Sequence, residues 1–212
     1  MNEPNAVAAQ RGETYGGRSR QQRSADRRDR ILAAALQLFG TRDYEAVTVA
    51  DVCTAARVAK RYFYDHFIDR CDLLRALHRQ QNEWLLSEIE TATPKRPSTI
   101  DELLRPGVRK LLNLLRDNPE RAQVIYLNTP RMDTQRLDTQ RRGVLHEGAA
   151  FLGKLLRPVL GRPDDNVRHE LMLLAAVAGV SEVIIDWLVR GMTDDLDQLT
   201  DHLTGFCSAI FR

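Results

Sequence analysis

Apolar residues recur at steps of three and four positions along most of this 212-residue chain. Such spacing gathers side chains on one face of an α-helix, whereas a half-buried strand needs strict alternation. No run of alternating β-branched residues appears, and glycine and proline fall at the ends of the periodic segments. The sequence therefore predicts an all-α fold. With 43% hydrophobic and 28% charged residues, the chain has enough apolar material for a core.

Caps and turns divide the periodic segments. Ser24 is predicted to cap a first helix, and Thr48 begins a second one with a capping-box pattern. A third helix is predicted over residues 60–67, and Asp69 is predicted to cap the long helix that follows. In the helix after that, Pro106 is expected to kink the chain or delay the start. The remaining helices are predicted over residues 99–116, 119–128, 131–160, 165–190 and 194–211.

Composition divides the chain into three parts. Residues 1–23 are polar and aperiodic and are predicted to be a disordered basic arm. Residues 24–70 hold three short helices, and residues 71–212 form a larger helical domain. Either the arm is a solvated tail or it reaches a DNA minor groove with the arginines at its end. These are Arg18, Arg20 and Arg23.

Basic charge is concentrated near the N-terminus, although the whole chain carries a formal charge of only +2. Residues 18–70 contain eleven Lys or Arg against seven Asp or Glu, a balance of +4. Residues 79–212 contain eighteen against nineteen, a balance of −1. A basic end is the electrostatic footprint of a polyanion contact, so a nucleic-acid partner is indicated.

The third short helix gathers cationic and phenolic side chains directly after a tight turn. A helix of this kind fits a DNA major groove, which is wide enough to admit it. The alternative is a small helical subdomain whose apolar residues only pack together. That alternative explains the buried positions but not the polar ones, which are Lys60, Arg61, Tyr62, Tyr64 and His66.

An ordered set of motifs spans about forty-five residues in this region. They are Ala33-Ala34…Phe39, Asp43-Tyr44, Thr48-Val49, Ala56-Arg57-Val58, Tyr64-Asp65-His66-Phe67 and Arg70-Cys71-Asp72-Leu73-Leu74. In order and spacing this set resembles the N-terminal helix-turn-helix domain of TetR-type transcriptional regulators. Arg57, Ala59 and Asp43 depart from the family pattern, because a glycine, a serine and a glycine are usual there. Arg57 would have to adopt any positive φ that the turn requires.

The resemblance implies a role for each polar residue of the segment. Lys60, Arg61 and Tyr62 would face the bases. Phosphates, or a helix end held against them, would be contacted by Thr48, Tyr64, His66 and Arg70. Thr48 has the alternative role of a simple cap, Tyr64 that of half-buried packing, and Arg70 that of a solvated surface charge.

A three-helix unit contacts few base pairs, so a homodimer on a palindromic operator is expected. The last two helices suit dimerisation, because they combine large aliphatic residues with small ones. The stretch from Gly179 to Gly191 also resembles a pattern of the family, whose members dimerise through their last two helices. The alternative is that these faces form only the core of a monomer. The residues predicted at the interface are Gly179, Trp187, Leu199, Leu203, Phe206 and Ile210.

Family resemblance further implies that the C-terminal helical bundle binds a small molecule. The aliphatic bias of the sequence favours a hydrophobic effector, with Asn128 and Glu147 among the possible polar contacts. For each apolar candidate the alternative is ordinary core packing. The candidate lining residues are Trp84, Leu111, Leu115, Tyr126, Met132, His146, Phe151 and Met172.

No feature of the sequence predicts catalysis, a metal or a cofactor. Metalloprotease, phosphate-loop and nucleophile-elbow motifs are missing, and the five histidines lack metal-ligand spacing. Cys53, Cys71 and Cys207 are far apart, which favours reduced thiols in the cytoplasm. The longest apolar run, Leu171–Val180, is shorter than the roughly 20 residues that span a bilayer, so no membrane partner is expected.

These patterns lead to one hypothesis about function. The chain is predicted to be a DNA-binding transcriptional regulator, most simply a repressor that binds double-stranded operator DNA as a homodimer and is released by a small hydrophobic molecule. Two alternatives remain open at this stage. One is an architectural DNA-binding protein that responds to no ligand. The other is a helical carrier or enzyme with a vestigial DNA-binding motif.

Overall fold

The computed structural model describes residues 19–128, 134–161 and 165–212, with side chains described from residue 142 onward in the helix that begins at Thr134. Within this part of the chain every regular element is helical, which confirms the all-α prediction. The helices are α1 (Arg20–Thr41), α2 (Val49–Ala56), α3 (Lys60–Tyr64), α4 (Arg70–Ala92), α5 (Ile100–Asp117), α6 (Pro119–Ala122), α7 (Thr134–Leu160), α8 (Asn166–Val189) and α9 (Leu196–Ile210).

Helix α1 begins five residues earlier than predicted. Its N-cap is Ser19, whose hydroxyl accepts a hydrogen bond from the amide of Gln22 at 3.1 Å. The Gln22 side chain in turn accepts from the Ser19 amide at 2.8 Å. This reciprocal pair satisfies two of the free amides at the helix start. Ser24 therefore lies inside the helix, and the predicted disordered arm is wrong for residues 19–23; residues 1–18 lie outside the described part.

The predicted caps of α2 and α4 are confirmed. The Thr48 hydroxyl accepts from the Asp51 amide and the Asp51 carboxylate from the Thr48 amide, which is the capping box expected from the sequence. Asp69 caps α4 by accepting from the Asp72 amide at 2.7 Å. Helix α3 is shorter than predicted and ends at Tyr64. Beyond it the chain turns so that Phe67 is buried beside Phe63, with ring centroids 5.7 Å apart.

Helix α5 runs without interruption through Pro106, so of the two expected effects of this proline the delayed start is wrong. It begins directly after Thr99, whose hydroxyl accepts from the Glu102 amide at 3.1 Å. Proline cannot donate to the carbonyl one turn before it, which belongs to Glu102. Because Glu102 and Pro106 both lie on the exposed side of α5, water can satisfy that carbonyl while the opposite face stays packed.

Helices α1 to α4 enclose one apolar cluster, and the remaining helices enclose two more. We call residues 20–67 the head and α5 to α9 the body; α4 belongs to both because it starts in the head cluster and continues into the body. The head cluster contains Phe39, Phe63 and Leu74, all completely buried. In the body, α5 packs on α9 and α7 packs on α8.

The segment after α6 joins the head to the body. A single helix was predicted over residues 119–128, but the chain widens to a π-helical turn, Gln123–Leu127, closed by the Asn128 amide donating to the Gln123 carbonyl at 2.8 Å. Val124 of this turn packs into the head cluster. The buried Asn128 side chain donates to the carbonyls of Phe39 and, at 3.2 Å, of Arg42. We call Gln123–Asn128 the joint.

At one point α1 and α6 approach so closely that no side chain fits between them. A Cβ atom added to Gly40 would overlap the Cβ and Cα of Glu120. Gly40 lies near the C-terminal end of α1, next to Phe39, whose carbonyl is bound by Asn128. The end of α1 is therefore held against the body on both sides.

Helix α8 leaves much of its apolar surface uncovered in a single protomer. Val167, Leu171 and Val189 are at least 62% exposed. By length and composition alone α8 is long and apolar enough to cross a membrane, with a mean hydropathy of 2.0. The run Leu171–Val180, from which no membrane partner was expected, is only part of this apolar helix. Only 28% of its most apolar window is buried within the protomer.

Candidate nucleic-acid interface and internal cavity

Helix α3 presents its polar side chains outward and one aromatic ring inward. Lys60, Arg61 and Tyr64 are exposed, whereas Phe63 is fully buried and anchors the helix to the head cluster. Tyr64 packs edge-on against Phe63, with ring centroids 5.3 Å apart, yet keeps 53% of its surface accessible. The outer face of α3 can thus meet a duplex without disturbing the packing beneath it.

Tyr62 is held between two guanidinium groups. The Arg27 guanidinium lies 4.4 Å from the Tyr62 ring centroid and that of Arg61 lies 4.6 Å from it. Arg61 also donates to the Tyr62 hydroxyl at 2.8 Å. Cation–π contacts of this kind fix the orientation of the ring. Arg27, on α1, was not identified from the sequence, because the contact joins residues thirty-five positions apart.

The turn between α2 and α3 carries a positive charge in a strained conformation. Arg57 has φ 54° and ψ 48°, the left-handed region that favours glycine. As expected from the sequence, Ala59 gives α3 no side-chain cap. An open cleft lies between this turn and α1, lined by Arg23, Arg27, Arg30 and Arg57 together with Asp26, Asp29, Val58, Ala59 and Tyr62. Four arginines against two aspartates give the cleft a net positive charge.

Thr48 and His66 flank this surface. The Thr48 hydroxyl donates to the Asp51 carboxylate at 2.7 Å, and this bond is the main cause that lowers the pKa of Asp51. Thr48 is exposed at the N-terminus of α2, where free amides are oriented outward. His66 is half-buried, with its Nε2 3.5 Å from the Ser24 hydroxyl. Both remain candidates for phosphate contact.

Arg70 serves the interior of the head, which corrects its assignment to the DNA surface. Its guanidinium donates to the carbonyls of Tyr44 and Val47 at 3.0 and 2.7 Å and pairs with the Glu45 carboxylate at 3.0 Å. It also lies 4.0 Å from the centroid of the Tyr44 ring. Because these partners occupy its donors, Arg70 ties the turn at Tyr44–Ala46 to the start of α4.

A partly open cavity of about 500 Å³ lies between α4, the joint, α5, α7, α8 and α9. Of the predicted lining residues, Leu111, Tyr126 and Phe151 line it. Most of the wall is aliphatic. Its lining includes Leu85, Leu86, Ile89, Leu103, Leu104, Gly107, Val108, Ile125, Leu145, Gly148, Leu152, Leu155, Val177, Val180 and Cys207.

Four other predicted lining residues lie away from this cavity. Trp84 stacks under the Arg121 guanidinium, 4.2 Å from the ring centroid. Leu115 is completely buried in a core cluster, and His146 is exposed on α7. Met172 is half-buried on α8 but does not line the cavity. These positions correct the prediction, while Met132 lies outside the described residues.

One region of the cavity wall is polar, and the sequence did not identify its members on α4. His78 is 2% exposed and its Nε2 lies 3.1 Å from the Ile125 carbonyl of the joint. Burial lowers the pKa of His78, so the neutral imidazole is favoured. Asn82 donates to the Glu147 carboxylate at 3.3 Å. Burial also raises the pKa of Tyr126.

Three of the predicted interface residues are core residues instead. Trp187 is fully buried, and Leu199 and Leu203 are 8% and 3% exposed. Their side chains pack within one cluster of the body, to which α9 contributes Leu199 and Leu203 by packing closely on α5. Phe206 remains 42% exposed, and its ring covers Gly179 of α8. Ile210 is half-buried against a body cluster.

The comparisons with known proteins agree with this architecture. Residues 31–77 match the family model of bacterial regulatory proteins of the tetR family. The HTH-type transcriptional regulator YezE of Bacillus subtilis (strain 168) is 23% identical over 182 residues, which cover 82% of this chain and 90% of that protein.

Solved structures share the fold over nearly the whole chain. A tetR-family regulator from Streptomyces coelicolor has a TM-score of 0.69 at 16% identity, covering 88% of this chain and 80% of its own. The fatty acid degradation regulator FadR from Bacillus halodurans has a TM-score of 0.66 at 21% identity, covering 85% and 94%. FadR from Bacillus subtilis, in complex with stearoyl-CoA, has a TM-score of 0.64 at 19% identity, covering 87% and 99%. With the helix-turn-helix geometry of α1 to α4, these matches identify residues 31–77 as a DNA-binding domain of the tetR family type and show that the chain as a whole shares the fold of such regulators.

Proposed function

We propose that this protein is a cytoplasmic repressor that binds a palindromic DNA operator as a homodimer and is released when a hydrophobic molecule occupies the cavity. Lys60, Arg61 and Tyr62 contact bases in the major groove, with Tyr64 beside them. Thr48, His66 and the arginines of the cleft contact phosphates. Much of the affinity then comes from charge neutralisation, so binding falls steeply as salt rises.

The joint is the observation that carries this proposal. Ile125 and Tyr126 line the cavity, whereas the preceding residue, Val124, packs into the head cluster. Asn128 binds two carbonyls at the end of α1. A molecule that displaces the cavity face of this short segment therefore shifts the support of α1. Two arrangements of the joint, one favoured by ligand and one by DNA, would couple the two sites.

Cavity chemistry favours a hydrophobic effector. A site of about 500 Å³ with a mainly aliphatic wall is of the size and character that bind small apolar molecules. A protein of similar fold, FadR from Bacillus subtilis, was solved with stearoyl-CoA, which carries a long acyl chain. A ligand-independent architectural protein has no use for such a cavity, so this alternative is less well supported.

Dimerisation is proposed through the uncovered faces of α8 and α9. Leu171 and Val183 on α8 and Phe206 on α9 are between 41% and 62% exposed. The small residues Ala175 and Gly205 also lie exposed there, and a Cβ on Gly205 would meet open space. Covering this surface with its copy in a second protomer would remove an apolar patch from water and pair two heads.

The first test is selection of bound fragments from genomic DNA with the full-length protein. We expect recovered fragments to share a palindrome whose half-sites lie about one helical turn apart. Recovery of fragments without a common sequence would favour the architectural alternative. If no fragment is retained even at low salt, the helix-turn-helix is vestigial and the carrier or enzyme alternative stands.

The second test separates the cavity from the head. Val108→Trp places a large side chain into the cavity, and Ser87→Trp places the same side chain on an exposed position of α4. Both variants are expected to bind a selected fragment in a gel-shift titration. Release of DNA by methyl dodecanoate is expected for the wild type and Ser87→Trp but not for Val108→Trp. Equal release from both variants would contradict the proposed role of the cavity.

The dimer has its own test. Phe206→Asp introduces a charge at an exposed position of α9, and Ile68→Asp introduces one at an 81% exposed apolar position just before α4. Light scattering is expected to find a monomer for Phe206→Asp and a dimer for Ile68→Asp. A Phe206→Asp variant that stays dimeric with an unchanged helical circular dichroism spectrum would place the interface elsewhere.

A further inference from the structure

Hydrogen-bonding groups on α4 and the joint line one part of a mainly aliphatic cavity wall. Tyr126 of the joint and His78 and Asn82 of α4 are the members. The Tyr126 hydroxyl makes no hydrogen bond to the described residues, and the half-buried side chain lines the cavity. A ligand oxygen in the cavity can accept a hydrogen bond from it.

The hydrogen on the His78 ring can be assigned from its partner. The Ile125 carbonyl, 3.1 Å from Nε2, can only accept, so Nε2 carries the hydrogen. Nδ1 of the neutral ring then has a free lone pair. The polar region therefore offers one donor, the Tyr126 hydroxyl, together with an acceptor on His78, a pattern that suits a carbonyl or hydroxyl oxygen.

Carboxylates accompany this polar region. Asn82 is hydrogen-bonded to Glu147 at 3.3 Å, and Glu182 lines the cavity. The Glu147 carboxylate, which is exposed on α7, would repel a carboxylate or phosphate held beside Asn82, although solvent screens part of this repulsion. An uncharged head group meets no such penalty.

We propose, building on the ligand-binding function proposed above, that the cavity binds a long-chain molecule whose head group is oxygen-bearing and uncharged: an alcohol, ketone, ester or thioester. Its oxygen accepts a hydrogen bond from Tyr126, and its chain lies along Leu85, Ile89, Leu111 and Phe151. The same chemistry has two sources, a free neutral lipid or an acyl thioester whose charged carrier stays outside the cavity.

The experiment compares matched probes on the full-length protein by calorimetry. Methyl dodecanoate and dodecanoate differ only in the charge of the head group and one methyl. We expect the ester to bind about two- to fivefold more tightly, the size of effect that repulsion between partly solvent-screened charges produces. Equal or tighter binding of dodecanoate would overturn the proposal. If dodecanoyl-CoA binds as tightly as the ester, the source is an acyl thioester. If dodecanoyl-CoA does not bind, the source is a free neutral lipid.

Two variants test the residues. Tyr126→Phe is expected to weaken ester binding by about three- to tenfold, the worth of one hydrogen bond, while Ser87→Ala, which also loses a hydroxyl, leaves it unchanged. Glu147→Gln is expected to strengthen dodecanoate binding by about two- to fivefold, and Glu83→Gln, at an exposed position of α4, is the control. Unchanged affinities in both Tyr126→Phe and Glu147→Gln would refute the assignment.

DNA release is recorded separately for each probe. If the ester binds as expected but leaves the protein on a selected DNA fragment, the repressor mechanism fails while the ligand class stands. If DNA is released by dodecanoate in preference to the ester, the mechanism stands and the ligand class is wrong.

Discussion

The head and the body use their apolar residues in different ways. In the head, Phe39, Phe63 and Leu74 are fully buried while the groups proposed to contact DNA lie outside, on the opposite faces of the same helices. In the body, apolar side chains such as Leu111 pack against neighbours and also line the cavity. Stability and function are therefore carried by separate residues in the head and by shared residues in the body. Substitutions should separate the two properties only in the head.

The largest effects are expected from truncating a fully buried aromatic residue in each region. Phe39→Ala and Trp187→Ala should each lower the free energy of unfolding by about 3–5 kcal/mol, because both leave a large cavity. Urea unfolding followed by circular dichroism measures this. If the joint makes head and body one cooperative unit, each variant shifts a single transition. Two separate transitions would show that the regions unfold independently.

Removing Lys60 and Tyr62 together should affect DNA binding alone. We expect Lys60→Ala with Tyr62→Ala to weaken binding to a selected fragment by at least about 2 kcal/mol, since each contact to a base edge is worth about 1–3 kcal/mol. Fluorescence anisotropy measures the affinity. The midpoint of urea unfolding should stay close to that of the wild type, and retained sequence preference would disprove the assignment of α3.

Arg27 tests how far the DNA surface extends from α3 onto α1. Arg27→Ala should weaken DNA binding by about 1–2 kcal/mol, because Tyr62 loses one of its two cation–π partners and the cleft loses a charge. Arg27→Lys keeps the charge but not the planar stacking group. The slope of affinity against salt should therefore fall for Arg27→Ala and stay unchanged for Arg27→Lys. If the salt dependence of the affinity has the same slope for Arg27→Ala and Arg27→Lys, the cleft makes no phosphate contact through this residue.

Acid should destabilise the body through His78. Burial lowers its pKa in the folded protein, so the folded state favours the neutral ring and the unfolded state binds more protons below the ordinary pKa of about 6.5. Stability is unaffected above that pH and is lost as the pH falls below it. His78→Gln should lessen this loss in urea titrations across the same range. An unchanged pH dependence would assign it to other groups.

The smallest expected effect is a gain. Ala59 has extended backbone at the start of α3 and supplies no cap. Ala59→Ser should raise the free energy of unfolding by about 0.5–1 kcal/mol, since a hydroxyl there can accept from an amide of the first turn. Ala55→Ser, at an exposed position inside α2, should bring no gain in thermal unfolding. Destabilisation by Ala59→Ser would mean that the backbone at the start of α3 does not suit a capping side chain.

A structural feature could be predicted from the sequence when the interactions that produce it join residues close together in the chain. The caps by Thr48 and Asp69 and the outward face of α3 depend on neighbours within one or two turns, and they were predicted. Arg70 was misassigned because its partners, at Tyr44 and Val47, are more than twenty residues away. Trp187 and Leu203 were placed at an interface because periodicity shows that a helix has an apolar face but not which helix covers it.

The cavity could not be derived from the sequence for a related reason. A cavity forms where side chains from different helices do not reach one another, and the spacing of residues along one helix does not show this. Leu111 and Leu115 lie one turn apart on α5, yet only Leu111 lines the cavity while Leu115 is completely buried. Trp84 was predicted as a lining residue from its residue type alone, but its ring stacks against the Arg121 guanidinium instead.

Gly40 has a consequence for protein engineering. Chimeric regulators are made by joining the DNA-binding part of one protein to the sensing part of another. Here the two parts meet where Gly40 faces the backbone as well as the side chain of Glu120, so trimming Glu120 would not make room for a larger residue. A transplanted N-terminal part is compatible with this C-terminal part only if it brings glycine at that position, whatever operator it carries.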